Sequence, residues 1–205
     1  IESLTEEGQG LGIRQLCRIP IFWITLVLMV CAGASEISMA QWASAYVESA
    51  LGISKSIGDV AGPCLFAIMM GISRSFYGKY GEKMDLMKFM IASGALCLVC
   101  YLLSALAPLP ALNLLGCVVC GFSVGIMWPG TISIASSKIP LGGTAMFALL
   151  AMAGDLGGSV GPGIVGFVTQ RANDDLKAGM LAGSIFPVIL VLSVLLLRKK
   201  RAEGK

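Results

Sequence analysis

Residues 89–137 read FMIASGALCLVCYLLSALAPLPALNLLGCVVCGFSVGIMWPGTISIASS, and no Asp, Glu, Lys or Arg occurs among them. A helix needs about 20 apolar residues to cross the hydrocarbon of a bilayer. This stretch is long enough for two crossings. Pro108 and Pro110 supply the turn between them, because proline removes a backbone donor and cannot continue a helix. Backbone groups in hydrocarbon must be hydrogen-bonded within the protein, and the run is continuous rather than alternating. Helices are therefore expected and a β-barrel is not.

The same reading extends in both directions. Of the 205 residues 56% are hydrophobic and only 13% charged, against about 25% charged in an ordinary soluble domain. Residues 178–197 form another uncharged run. Six spans are expected, at about 20–47, 59–77, 87–107, 111–136, 143–169 and 178–197. The fold class is thus an all-α membrane protein with a six-helix bundle over residues 20–197. A polar linker at 1–19 precedes the bundle, and a basic tail at 198–205 follows it. The chain begins with Ile1 rather than Met, so the sequence reads as a segment of a longer protein.

Orientation follows from the basic residues. All of the 15 Lys and Arg except Lys55, Arg171 and Lys177 fall on one set of connections. By the positive-inside rule that set is cytoplasmic, and an even number of crossings places both ends of the segment there. A plasma (inner) membrane is the expected location. Trp23 lies at the cytoplasmic entry of the first span and reads as an interfacial anchor.

The 26 glycines are concentrated inside the spans, where small residues let helices approach closely. Gly121 and Gly125 are four apart, as are Gly154 and Gly158, and Gly157 and Gly161. Static packing accounts for any one of them. A whole glycine face also suits helices that rock against each other.

Ionisable groups inside spans are costly and face a cavity or a partner. Glu36 lies about 24 Å along the first span and Asp155 about 18 Å along the fifth, at 1.5 Å per residue. Neither has a basic residue at i±3 or i±4. Glu36, in ASEISMAQWASAY, is the candidate proton-coupling group, because a carboxyl whose exposure alternates can gain and lose a proton. Asp155 is a candidate substrate-binding group, with a structural carboxylate bonded across helices as the even alternative. Gln41 and Trp42 follow Glu36 with an amide and an indole. Trp128 precedes Pro129, which is expected to kink or break the fourth helix and free backbone groups. Broken helices border binding sites in transporters, so Gln41, Trp42 and Trp128 complete the candidate substrate set.

Cys97 with Cys100, and Cys117 with Cys120, form two CxxC pairs. Zinc is the reading for such pairs in a soluble chain. Here they sit in charge-free apolar runs of a protein without histidine, and they read as small packing residues. No metal and no cofactor is expected.

In order and spacing the segments resemble the carboxy-terminal six-helix half of the major facilitator superfamily. RIPIFWITLVLMV is similar to the entry of that family's seventh helix. GISRSFYGKYGEKMD, with Gly71, Arg74, Gly78 and Gly81, is similar to its cytoplasmic loop motif. GFSVGIMWPGTISIAS and GDLGGSVGPGIVGFV resemble the tenth and eleventh helices. ASEISMAQWASAYV resembles the fucose-permease-like branch. The resemblance implies secondary active transport of a small organic solute, such as a sugar, by alternating access, coupled to protons. It implies a solute site between two six-helix halves, so an amino-terminal half or a second subunit is an expected partner. The first and fourth spans would line the cavity. The loop motif would brace the cytoplasmic ends.

Other readings remain open. A drug or metabolite exporter of the same fold would run in the opposite direction. A membrane receptor or assembly subunit would transport nothing, although the polar segments are short for signalling. Without histidine, Ser-His and Cys-His chemistry is unavailable and an enzyme is not expected. The run RKKR at residues 198–201 is a cytoplasmic anchor that meets anionic lipid headgroups, and nucleic acid is not an expected partner.

Overall fold

The computed structural model describes residues 10–203. Residues 1–9 of the expected linker and residues 204–205 of the basic tail lie outside the described residues. Helices α1 (Ile13–Leu16), α2 (Pro20–Leu51), α3 (Lys55–Tyr80), α4 (Leu86–Leu106), α5 (Pro110–Val124), α6 (Met127–Lys138), α7 (Gly143–Arg171), α8 (Leu176–Gly183) and α9 (Ile185–Glu203) follow in chain order. A single 3₁₀ turn spans Gly81–Lys83 between α3 and α4. The fold is all-helical, with no strand among the described residues. Six stretches are long and apolar enough to cross a membrane: α2, α3, α4, α5 with α6, α7, and α8 with α9.

Local chemistry sets the ends. Pro20 and Pro110 open α2 and α5, where a missing N–H costs nothing because the first helical donors have no partner. Asp85 caps α4 by accepting from Lys88 N at 3.2 Å, and Asp175 caps α8 by accepting from Lys177 N at 3.0 Å. Gly52, at φ 64°, ends α2 in the left-handed conformation. Trp23 Nε1 donates to the Cys17 carbonyl at 2.9 Å, tying the start of α2 to the turn after α1.

Two spans are broken, each by a proline one turn further on. Proline lacks an N–H and its ring collides with the carbonyl four residues back. For Pro129 that carbonyl is Gly125, and the helix interrupts at Gly125–Ile126. For Pro187 it is Gly183, where α8 ends. The break near Pro129 was expected from sequence, and the break near Pro187 was not.

Several boundaries differ from the sequence reading: α2 runs to Leu51 rather than 47 and α9 to Glu203 rather than 197, and α3 differs at both ends. Helix α3 begins at Lys55 rather than near residue 59, because Ser54 is extended and the chain becomes helical directly after it. At its other end α3 continues through Gly78 to Tyr80. The polar connection is therefore shorter than expected, and Gly78 belongs to the helix.

Helix α2 occupies the middle of the bundle and packs against α3, α5, α6, α7 and α9. The largest core cluster joins α2, α4 and α5 and includes Leu28, Met39, Tyr101 and Cys120. A smaller cluster joins α1, α2, α6 and α7 through Leu16, Phe22, Ala135 and Met146.

The seam between α2 and α7 depends on absent side chains. A Cβ at Gly157 would stand 2.7 Å from Val30 C, and one at Gly161 would stand 2.7 Å from Ala34 Cα. A Cβ at Gly33 would stand 2.9 Å from Gly154 C. The small-residue spacing thus marks main chain against main chain. The cysteine pairs lie on facing helices, with Cys97 Sγ 3.7 Å from Cys120 Sγ and all four residues buried. Among the described residues no three metal-ligating side chains converge.

Candidate functional site

The site is a cavity between α3 and α6, both of which pack on α2, the helix that carries Glu36. A Cβ at Gly62 would press on the Ala43 and Ser44 backbone, which sets α2 and α3 as close antiparallel neighbours. Counting from that contact at 1.5 Å per residue, Arg74 on α3 lies about 7 Å further along the bundle axis, toward the start of α2, than Glu36 on α2. Glu36 is partly buried, and its Oε2 has no hydrogen-bond partner among the described residues. Behind it, Tyr101 on α4 donates to the Ser35 carbonyl at 2.8 Å. This bond fixes α2 against α4 next to the carboxylate.

A cavity of about 340 Å³ is lined by Arg74, Tyr77, Trp128, Pro129 and Ile132. Arg74 and Tyr77 are three residues apart, on one face of α3. Tyr77 is held in place by its neighbours. Its ring is stacked with Phe89 at 6.3 Å between centroids, and it covers Gly81, where a Cβ would stand 2.8 Å from Tyr77 Cε2. Trp128 lies against Gly154 of α7, where a Cβ would come within 2.7 Å of Trp128 Cζ2. Its ring packs against both core clusters, and its indole N–H is buried without an acceptor among the described residues. Trp128 therefore has a packing role as well as a place on the cavity wall.

From the residues singled out in sequence the structure brings Arg74 and Trp128 to one cavity and adds Tyr77, while Glu36, on the adjoining α2, is not among the lining residues. Gln41 and Trp42 do not share the Glu36 face. At 3.6 residues per turn they are rotated from it by about 140° and 120° in opposite directions. Gln41 is exposed, and Trp42 packs against the large core cluster with its Nε1 buried and unpaired among the described residues. Asp155 is exposed beside Gly154, at the depth of Trp128, and its main-chain carbonyl accepts from Ser159 Oγ at 3.0 Å.

Within the expected loop motif the four residues part company. Gly81 seats the Tyr77 ring. Gly71 and Gly78 would meet nothing within 4 Å if they carried a Cβ. Arg74 sits inside α3 on the cavity wall rather than in a connection. Sequence reasoning assigned it to the loop because a basic residue near a span end is counted with the adjoining connection. The missed signal was its spacing to Tyr77.

A second cavity, of about 600 Å³, lies at the ends of α4 and α6, lined by residues that include Asp85, Ser133, Ser137 and Lys138. Asp85 is exposed. The Lys88 backbone N–H that it accepts holds its carboxyl below the usual carboxylate range.

A search of curated proteins finds no match to this chain. The family model of the Major Facilitator Superfamily matches residues 2–162, from before α1 to well inside α7. Six apolar spans, with α2 in the middle and the fourth broken by a proline, agree with that match. The chain belongs to the major facilitator superfamily, a family of membrane transporters.

Proposed function

We propose that this six-helix bundle carries a small organic solute across a plasma (inner) membrane by alternating access, and that proton binding at Glu36 drives the transport. One observation carries the reading. A carboxylate within a membrane span has a buried oxygen with no hydrogen-bond partner among the described residues. A static ion pair would be closed and fully hydrogen-bonded. This carboxylate is left with a free acceptor, which a proton can take.

In this reading both ends of the segment are cytoplasmic, and the face bearing Arg74 and Asp155 meets a second six-helix half or a second subunit. The solute, a sugar or another small organic molecule, occupies the cavity between them. The break at Gly125–Ile126 lets the cytoplasmic part of the fourth span move separately from the rest. An exporter would share this geometry, so the direction of transport is settled by vesicle polarity rather than by the fold.

The test is Glu36→Gln in full-length protein reconstituted into liposomes with an imposed pH gradient. Gradient-driven uptake is expected to fall to the level of empty liposomes, while exchange of solute across the membrane continues. Undiminished gradient-driven uptake would remove Glu36 from the coupling role.

A further inference from the structure

The walls of the cavity at α3 and α6 are chemically one-sided. Arg74 offers five N–H donors and no acceptor. It makes no hydrogen bond or ion pair among the described residues, and Glu36 stands on the neighbouring helix α2, about 7 Å away along the bundle axis. Tyr77 and Trp128 supply aromatic surface, Pro129 and Ile132 apolar surface. A neutral polyol would bring many hydroxyl donors to a wall with few acceptors. An acceptor-only group such as a carboxylate matches the guanidinium fork, and an apolar or planar body matches the rings.

We infer that this cavity selects organic anions: a carboxylate binds the Arg74 guanidinium, and the body of the molecule lies against Tyr77 and Trp128. The inference deepens the transport reading and rests on its assignment of this cavity to the solute. It also gives Glu36 a second consequence. An ionised Glu36 competes with the incoming carboxylate for the same cation. A proton on Glu36 removes that competitor, so proton and anion enter together and their charges cancel. A volume of about 340 Å³ is at the small end of ligand pockets, which suits a molecule of one ring or one short chain.

The experiment is calorimetric titration of full-length protein in detergent with three probes: benzoate, glucuronate and glucose. At least one anion is expected to bind, and glucose is not. Arg74→Gln is expected to weaken anion binding about tenfold or more, the loss typical of a charge-assisted hydrogen bond. Arg74→Lys, which keeps the charge without the fork, falls between. Glu36→Gln, which removes the competing charge, tightens it. Arg74 is exposed, so these variants are expected to unfold at the wild-type temperature, which is measured alongside. Failure of both anions to bind overturns the inference, as does anion binding that Arg74→Gln leaves unchanged. Glucose binding that is independent of Arg74, together with Glu36-dependent uptake of glucose, overturns the anion assignment and leaves the transport reading standing. Arg74-dependent anion binding without gradient-driven uptake does the reverse.

Discussion

Gly157→Ala tests whether the α2–α7 seam is as close as the structure places it. The added Cβ would stand 2.7 Å from Val30 C and 2.9 Å from Val30 Cα, and closer still to the Val30 carbonyl oxygen. Carbon atoms pack comfortably at about 3.5–4.0 Å, so the helices must part by about 1 Å. Both partners are main chain, and no side-chain rotation relieves the overlap. Overpacking costs about 1–3 kcal/mol, and this position belongs at the upper end. Gly163→Ala on the same helix is the control, since its Cβ would meet nothing within 4 Å. There alanine gains about 0.5–1 kcal/mol from lower backbone entropy loss. The two variants should therefore differ by about 3 kcal/mol, roughly two orders of magnitude in the unfolding equilibrium. Gly158→Ala should fall between them, because its Cβ would stand 3.1 Å from Ile37 Cγ1, a side-chain atom with room to turn. Denaturant titration of full-length protein in mixed micelles orders the three. Equal stability of Gly157→Ala and Gly163→Ala would refute the close seam and the reading of these glycines as contact residues.

Pro129→Ala restores an N–H aimed at the Gly125 carbonyl and should join α5 to α6. Thermal unfolding is expected at or above the wild-type temperature, with solute exchange slowed several-fold; native exchange rates would show that the break is not a working hinge. Asp85→Ala should speed hydrogen exchange in the first turn of α4, while Asp85→Asn, which keeps an acceptor, should change it little. Because the folded-state carboxyl is held low, its contribution is present above the ordinary carboxylate pKa of about 3.9 and is lost as pH falls through the folded value. Exchange at the Lys88 amide that is insensitive to Asp85→Ala would contradict the cap.

The bundle was legible because hydrocarbon imposes coarse rules. Length and lack of charge mark a crossing, and prolines mark its breaks, as at Pro108, Pro110 and Pro129. The site was only half legible, for a geometric reason. Gln41 and Trp42 are close to Glu36 in sequence, but helical rotation turns them to other faces. Arg74 and Tyr77 are far from Glu36 in sequence, yet the Gly62 contact with Ala43 brings α3 alongside α2. No single-span pattern contains that contact. Positive-inside counting also concealed Arg74 by treating it as one more cytoplasmic charge. The facing of Cys97 and Cys120 depended in the same way on a helix pairing that spacing alone does not state.

The distribution of burial bears on what the site faces. In the most apolar stretch of each span, 56% of residues are buried in the first and fourth, 33% in the fifth and 22% in the second. Helices α3 and α7 thus leave most of their surface uncovered by the bundle. For Val60, 71% exposed, or Phe167, 58% exposed, acyl chains are adequate neighbours. They are not adequate for Asp155 near the middle of α7, since a charge at that depth in lipid is among the costliest placements available to a helix. Water or protein must therefore meet the surface on which it stands. A wet or protein-covered surface on a sparsely packed helix, beside a proline-broken one, has the character of a solute path rather than of a lipid-facing wall.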